Sequence, residues 1–537
     1  MTDHDVIVLG GGPGGYIAAE RLGHAGKNVL LVEASSLGGT CLNVGCIPTK
    51  TLLGAAKTYD HARHGAQFGV KVDGAHVDWP ALQKWKDKVV STLVGGVAAT
   101  EKKAGVTVVH GHGTFDGPGK VTVDGTTHTA THVILATGSV PVMPPIPGAK
   151  DNPLVIDSTG ALSLPEIPER LAVIGGGVIG VEFASLYSML GTQVTVIEML
   201  PEIVPFADDD VAAQLRKALK DVTFKLGCRV TSIDGGKVNW TTADGAEESV
   251  EADHVLMAVG RRPAVDGWGA ENTGLEYSGR GVVVDDRMRT NLPNVWAIGD
   301  VTGRSLLAHA AYRMGEVAAA NILDPEAHRR GEVMRWHTVP WAVFSIPEAA
   351  GVGLTESAAK REGRDVLVAK VPALMSGRFI AENGFKAPGE AKILTIDMRR
   401  TLMGAVPKEY QLGYLTNHSE AMKQMRELAA FLRTRLPGSD VTPEQIRDRS
   451  WWSGPEVWIL VDDYDLVATT SGNPLMELID LLPQAADIGL HVIITRRMGG
   501  ASRAAYEKVL QMMNDLAVTG ILLSGNPSEG AIINGVK

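Results

Sequence analysis

Cys41 and Cys46 stand close together in the run Gly38-Gly39-Thr40-Cys41-Leu42-Asn43-Val44-Gly45-Cys46-Ile47-Pro48-Thr49-Lys50. The chain has three cysteines, too few for a disulfide scaffold, and a chain of this size needs none, so the close pair reads as reactive. A regular helix would separate the two by about 7.5 Å of rise alone. That exceeds the Cα reach of a disulfide, about 4.4 to 6.8 Å. A bond between them therefore needs an irregular turn, which Gly45 permits, and a strained disulfide is the easier kind to reduce. Two buried thiols that never bond are the plain alternative. Cys228, alone in Leu226-Gly227-Cys228-Arg229, reads as a packing residue.

A second kind of chemistry is suggested by glycines. Gly10, Gly12 and Gly15 follow the apolar run Asp5-Val6-Ile7-Val8-Leu9 and open a helical pattern, and Glu33 ends the next strand, Val29 to Glu33. The spacing suits a tight turn, a close backbone approach to a pyrophosphate at a helix N-terminus, and a carboxylate that accepts from a ribose hydroxyl. Gly175, Gly177 and Gly180 repeat the arrangement after Leu171-Ala172-Val173-Ile174, with Glu198 ending the following strand. An acid there repels a 2′-phosphate, and Met199 rather than an arginine follows it, so the second site should prefer NAD to NADP. The alternatives are a plain tight turn for the glycines and a solvated strand-end acid for Glu198.

Two strand-helix-strand units imply an α/β protein with two Rossmann-like nucleotide-binding domains. The proline-rich stretch from Pro141 to Pro147 links them, and Gly260-Arg261-Arg262-Pro263 marks the return crossing. The expected division is residues 1–147 with 267–335 as the first nucleotide domain, 148–266 as the second, 336–394 as a short antiparallel α+β unit, and 395–537 as a further α/β layer. Across all 537 residues the net charge is -10 and 45% are hydrophobic. That balance gives no electrostatic pull toward nucleic acid. No apolar run is long enough to span a membrane and the N-terminus lacks the order of a signal peptide, which places the protein in the cytoplasm.

The run from Gly38 to Lys50 resembles the redox-active signature of the pyridine nucleotide-disulfide oxidoreductases, and within it Cys-Leu-Asn-Val-Gly-Cys-Ile-Pro-Thr-Lys is most similar to dihydrolipoamide dehydrogenase. Further matches are Ala136-Thr137-Gly138, Gly177-Val178-Ile179-Gly180-Val181-Glu182, Val259-Gly260-Arg261-Arg262-Pro263 and Ala297-Ile298-Gly299-Asp300. The resemblance covers residues 1 to 394. It implies that NAD and a dithiol exchange two electrons through FAD, with nicotinamide on one ring face and the disulfide on the other. Carried onto matching positions, Cys41 would be the interchange thiol, and Cys46 the thiolate against the flavin. Lys50, paired with Glu182, would be the cation that stabilises reduced flavin and thiolate. Thr137, Gly138, Gly260 and Gly299 would lie in the cofactor motifs, Asp300 would bind the ribityl chain, and the Leu307-Ala308-His309 backbone would lie near the flavin ring, with His309 giving only its backbone. The resemblance also implies a homodimer and a small dithiol or lipoyl domain as substrate. Another disulfide or Hg²⁺ reductase of the same superfamily is the neighbouring alternative.

That family supplies its acid-base pair from a C-terminal interface domain, as a histidine with a glutamate five residues later. His337 to Glu348 looks like the start of that domain, but the motif does not follow: His418 and His491 have Lys423 and Arg496 at that offset. The interface domain is therefore expected to be truncated and lipoamide turnover impaired. From Thr395 onward the chain resembles the last ATPase domain of the type VII secretion proteins called EccC, relatives of FtsK. The matching runs are Asp397 to Leu402, Trp451 to Glu456, Leu460 to Asp465 and Gly489 to Arg497. Asp462 and Asp463 would be a Walker B element, with a plain strand end as the alternative. The glycine-rich loop with its lysine, which ATP chemistry needs, is absent from the sequence. This reading implies a partial P-loop-type layer that does not hydrolyse ATP unaided, joined near residue 394 to a flavoprotein, and possible type VII secretion partners for an interaction module to which the flavin half is a passenger. No metal site is expected.

Overall fold

The computed structural model describes residues 3–364, 366–373, 390–396, 418–438, 441–442, 445, 451–452, 457–461, 472–485, 487–494 and 507–516. The chain divides into two compact units, Met1–Ile396 and Asp397–Lys537. Among the described residues no helix is long and apolar enough to cross a membrane.

In the first unit, five parallel strands run in the order Thr107–His110, Val29–Glu33, His4–Leu9, Thr126–Leu135, Val295–Ala297. Their near-continuous Val, Ile and Leu content suits strands covered on both faces, and Val6, Ile7, Val8, Leu30 and Leu31 are almost wholly buried. The last strand comes from far along the sequence, so the chain leaves this sheet and returns to it. A second parallel sheet has the order Val222–Lys225, Gln193–Ile197, Arg170–Ile174, His254–Met257, Val155–Ile156. In both sheets the central strand is flanked by connections that leave in opposite directions. Its C-terminal end is therefore a switch point, where ligands bind in folds of this kind.

The chain crosses between the sheets twice, and the crossings pair with each other: Ser139–Pro141 lies antiparallel to Arg261–Pro263. The helix Trp79–Lys103 also bridges the sheets. Trp79 Nε1 donates to the Leu164 carbonyl at 2.9 Å, and the buried Lys86 gives Nζ to the Leu162 carbonyl at 2.9 Å.

The short segment after residue 336 forms the antiparallel pair Trp341–Val343 with Ala349–Gly351. Among the described residues it has no core of its own. Val343 is fully buried among Val173, Leu186 and Tyr187 of the second nucleotide domain, with Trp341, Ile346 and Ala349 packed around it. The antiparallel strands Val366–Pro372 and Glu390–Ile396 complete this unit.

The second unit contains the amphipathic helix His418–Arg433, a parallel pair Val457–Val461 with Leu490–Ile494, the 3-10 helix Pro474–Gln484 and the helix Lys508–Asp515. Leu428, Ala429, Leu432, Leu478, Leu481 and Ile488 make its core. Asp462 and Asp463, the Walker B candidates, lie outside the described residues.

Candidate active site

One cavity of about 1890 Å³ opens in the first unit and runs from one glycine turn to the other. A single ligand pocket takes about 300 to 1,000 Å³, so this one has room for two dinucleotides.

The two glycine turns are built alike. Gly10 (φ +109°) and Gly175 (φ +108°) have left-handed backbones, and a Cβ on either would run into the carbonyl of Ala136 or Ala258. A Cβ on Gly15 or Gly180 would strike the carbonyl of its own Gly10 or Gly175. These last two pack helix on strand and do not face the cavity. Gly12 and Gly177 do face it. A Cβ would meet only Gly39 Cα at 3.8 Å in the first case and nothing within 4 Å in the second. Each is the N-cap of a helix, Pro13–His24 or Val178–Met189, without a side-chain cap. Uncapped amides at a positive helix end, with an open approach, fit the pyrophosphate of a dinucleotide.

The strand-end acids do more than the sequence indicated. Glu33 accepts from Gly11 N at 2.7 Å and Ser35 N at 2.8 Å; Glu198 accepts from Gly176 N at 2.5 Å and Leu200 N at 2.7 Å. Each carboxylate thus holds its glycine turn against the next strand. A further joint is also repeated: Gly38 N donates to Gly11 O at 2.8 Å and Val204 N to Gly176 O at 2.9 Å. Gly38 has φ +93°, Val204 φ +47°.

Between the turns lie the two cysteines. The helix Gly39–Val44 stops at Gly45, whose φ of -140° and ψ of -108° are non-helical, and a new helix begins at Cys46. A side chain at Gly45 would press on the Thr40 carbonyl at 2.8 Å. The break folds the pair together. Both are thiols here. The hydrogen bond from Cys41 is the main cause that lowers the Cys46 pKa to about 7; burial opposes it and Lys50 assists. The same bond, then burial, raises that of Cys41.

Lys50, one helical turn after Cys46, gives Nζ to both oxygens of Glu182 at 2.9 and 2.7 Å. Glu182 is buried on the helix Val178–Met189 and also accepts from Phe344 N at 3.0 Å. The Phe344 ring lies 4.6 Å from Lys50 Nζ. The segment after residue 336 thereby supplies the site with a backbone donor and an aromatic face, neither of which the sequence reading assigned.

Thr137, Gly138, Gly260 and Gly299 all line the cavity, as does Ala308 at the first position of the helix Ala308–Leu323. Thr137 Oγ1 donates to the Ala264 carbonyl at 3.0 Å. The His309 side chain is engaged with the following segment, its Nε2 lying 2.7 Å from the Pro340 carbonyl. Asp300 accepts from Ser139 Oγ at 2.6 Å, and Arg261 Nε donates to that same hydroxyl at 2.8 Å. Burial pushes the Asp300 carboxyl up against the pull of Ser139 and Arg261. Ser139 and the Arg261 side chain had no assigned part in the sequence reading. Cys228 sits in the satellite core with Val238 and Trp240.

Comparison with known proteins agrees with this architecture. The family model "Pyridine nucleotide-disulphide oxidoreductase" matches residues 4–315, and its dimerisation domain matches 339–426. A dihydrolipoyl dehydrogenase of Thermus scotoductus is 43% identical over 405 residues, covering 73% of this chain and 86% of that protein. One of Bacillus subtilis is 39% identical over 413 residues, covering 75% and 86%. Among solved structures, the Cu(II) complex of the HOCl-induced flavoprotein disulfide reductase RclA from Escherichia coli superposes with a TM-score of 0.65 at 27% identity, over 83% of this chain and 99% of that one. The dimerisation-domain match supports a homodimer. The chain belongs to the pyridine nucleotide-disulphide oxidoreductase family, as an FAD- and NAD(H)-dependent disulfide oxidoreductase similar to dihydrolipoyl dehydrogenase.

Proposed function

We propose that the chain exchanges two electrons between NAD(H) and a small dithiol, dihydrolipoamide being the best fit, through Cys41 and Cys46. The observation that carries this reading is the pair of thiols folded together at Gly45, with unequal proton affinities, beside the Lys50–Glu182 pair. FAD and NAD(H), when bound, supply hydride and electron-pair transfer; the glycine turns at Gly12 and Gly177 hold their phosphates, and Asp300 holds a hydroxyl of the flavin side chain.

The residues then divide the thiol chemistry. With Cys41 and Cys46 oxidised to a disulfide, a substrate thiolate attacks Cys41 Sγ, forming a mixed disulfide and releasing Cys46 as thiolate. The second substrate thiol, once deprotonated, attacks its own partner sulfur and expels Cys41, so the substrate leaves as a cyclic disulfide and two electrons stay in the dithiol. Cys46 is the better leaving group because Lys50 favours its thiolate, and once Cys41 is freed as a thiol its hydrogen bond holds Cys46 ionised. Glu182 keeps the Lys50 ammonium in place, and the Phe344 ring lies against it.

Each substrate thiol needs a base. The reading of a truncated interface domain without the histidine-glutamate motif makes lipoamide turnover slow while electron transfer from NADH to a dye stays fast. The test measures dihydrolipoamide-dependent NAD⁺ reduction beside dye reduction by NADH on one preparation. Dye activity with lipoamide activity lower by about a hundredfold or more, the usual size of a lost acid-base group, supports it. No dye activity in a flavin-loaded preparation defeats it.

A second reading, a reductase of another disulfide or of a metal ion, is favoured by the likeness to the copper-complexed RclA, because metal reduction needs no thiol base. Lipoamide, glutathione disulfide, Hg²⁺ and Cu²⁺ tested side by side separate the two. For residues 395–537 the proposal is an interaction module derived from an FtsK-like ATPase layer. Its support is the parallel pair Val457–Val461 with Leu490–Ile494 over a core of its own. The dimerisation-domain match that runs to residue 426, past the proposed boundary, is the observation against it. Failure to recover any type VII secreted protein in a pull-down would reject that module.

A further inference from the structure

We propose that Arg261 is a positioning residue, a fork from the second nucleotide domain that holds the dithiol turn and the Asp300 carboxylate at a fixed separation. The inference rests on the disulfide oxidoreductase reading. Arg261 sits on the return crossing, paired with Pro141 in the two-stranded link between the sheets. That link is pinned on both sides, by Val142 N to Gly260 O at 3.0 Å and Ala264 N to Gly138 O at 2.9 Å. The guanidinium therefore starts from a fixed base.

From there it makes three contacts in the first domain. Nε donates to Ser139 Oγ at 2.8 Å, Nη2 to the Ser139 carbonyl at 2.7 Å, and Nη2 also reaches Thr40 Oγ1 at 3.3 Å. Thr40 immediately precedes Cys41. Ser139 Oγ in turn donates a hydrogen bond to Asp300 at 2.6 Å. One planar group thus ties the residue before the interchange thiol to the carboxylate in the cofactor half of the cavity. Two parallel donors on a rigid plane fix an angle as well as a distance, which a lysine cannot do.

The charge has a second effect. Arg261 is held below its usual range by burial, and Asp300, Asp157 and Cys46 are the anions that oppose this. Cys41, Lys50 and Glu182 dominate the titration of Cys46, and Arg261 acts on it more weakly, as a more remote second cation.

The experiment compares wild type with Arg261→Met, which loses charge and fork, and Arg261→Lys, which keeps only the charge. Two readouts need no turnover: FAD retained after gel filtration, and the pH profile of Cys46 alkylation by iodoacetamide in the dithiothreitol-reduced protein, read by peptide mass. In Arg261→Met the half-maximal pH should rise by roughly half a unit, the scale of one partly screened charge, and FAD loss should grow several-fold. Arg261→Lys should restore the pH profile and leave FAD retention impaired. A methionine variant equal to wild type in both readouts, or a lysine variant that restores both, overturns the proposal. Should the methionine variant fail to fold, Thr40→Val removes the turn-side acceptor alone. It should speed Cys41 alkylation about twofold or more at fixed pH, the size of one hydrogen bond, and an unchanged rate also overturns the fork. A wild-type protein that NADH cannot reduce would defeat the oxidoreductase reading instead, since these comparisons never use NADH.

Discussion

At Cys46 the thiolate is favoured because the hydrogen bond from Cys41, with help from Lys50, outweighs burial. Alkylation of Cys46 in the reduced protein should therefore be half-maximal near pH 7, and Lys50→Met should move that point upward. Iodoacetamide labelling across pH reads it directly; an unmoved midpoint would remove Lys50 from the account. Cys41→Ser should raise the Cys46 value less than Cys41→Ala does, because a serine hydroxyl can still donate. Glu101 titrates in the opposite sense. It is fully buried on the helix Trp79–Lys103, with neither carboxylate oxygen hydrogen-bonded among the described residues. Burial, then the Glu20 carboxylate, pushes it up to about 8. An acid whose folded value lies above its unfolded value near 4.5 binds its proton more tightly when folded. Stability is then greatest below that unfolded value and falls as pH rises toward 8. Glu101→Gln keeps the shape and removes the titration. It should melt several degrees above wild type at pH 8 and close to it at pH 4.5, which scanning calorimetry at the two pH values measures.

The elements explain why parts of the site are legible in sequence and others are not. The glycine turns can be read because Gly10 and Gly175 need a left-handed backbone, and Gly15 and Gly180 sit where any Cβ meets a carbonyl. Only glycine satisfies either demand, so the requirement is written in the residue type. The break between the cysteines is legible for a similar reason, since Gly45 stands where two helices must part. The Ser139–Asp300 and Arg261–Ser139 contacts join residues 161 and 122 positions apart. They exist because two crossings pair antiparallel, and no local spacing announces that. Phe344 belongs to the same class. Its amide meets Glu182 because Val343 buries itself in the neighbouring domain's core. A prediction follows from the packing glycines. Gly180→Ala forces the second turn open, and overpacking of about 1 to 3 kcal/mol should raise the KM for NADH roughly tenfold with FAD content unchanged. Gly15→Ala should show the reverse order, flavin loss first. Steady-state kinetics beside flavin absorbance distinguish them.

For the whole molecule, the first unit ends at Ile396 and contains the entire cavity together with both glycine turns. A chain ending after Ile396 should therefore still be purified with FAD and show the same Cys46 pH profile. Loss of flavin from it would mean that the second unit supports the first. Here the sequence was least informative. The Walker B candidates at Asp462 and Asp463 lie beyond the described residues, and an apolar strand ending in acids is compatible with many α/β layers. Residues 339–426 match a family dimerisation domain, so light scattering should show a dimer; a monomer would mean that this part of the chain does not build the family interface.

The repeated joint behind the two glycine turns differs in one respect. In the first it is a glycine, which swings through positive φ freely. In the second it is Val204, β-branched and fully sunk in its domain's core, a posture that a valine holds only under compulsion. The second cradle, proposed to hold the pyridine nucleotide, is thus clamped by hydrophobic contacts, whereas the first, proposed to hold the flavin, is shaped by its own backbone. Warming that softens those contacts should release NADH before the yellow colour leaves the protein.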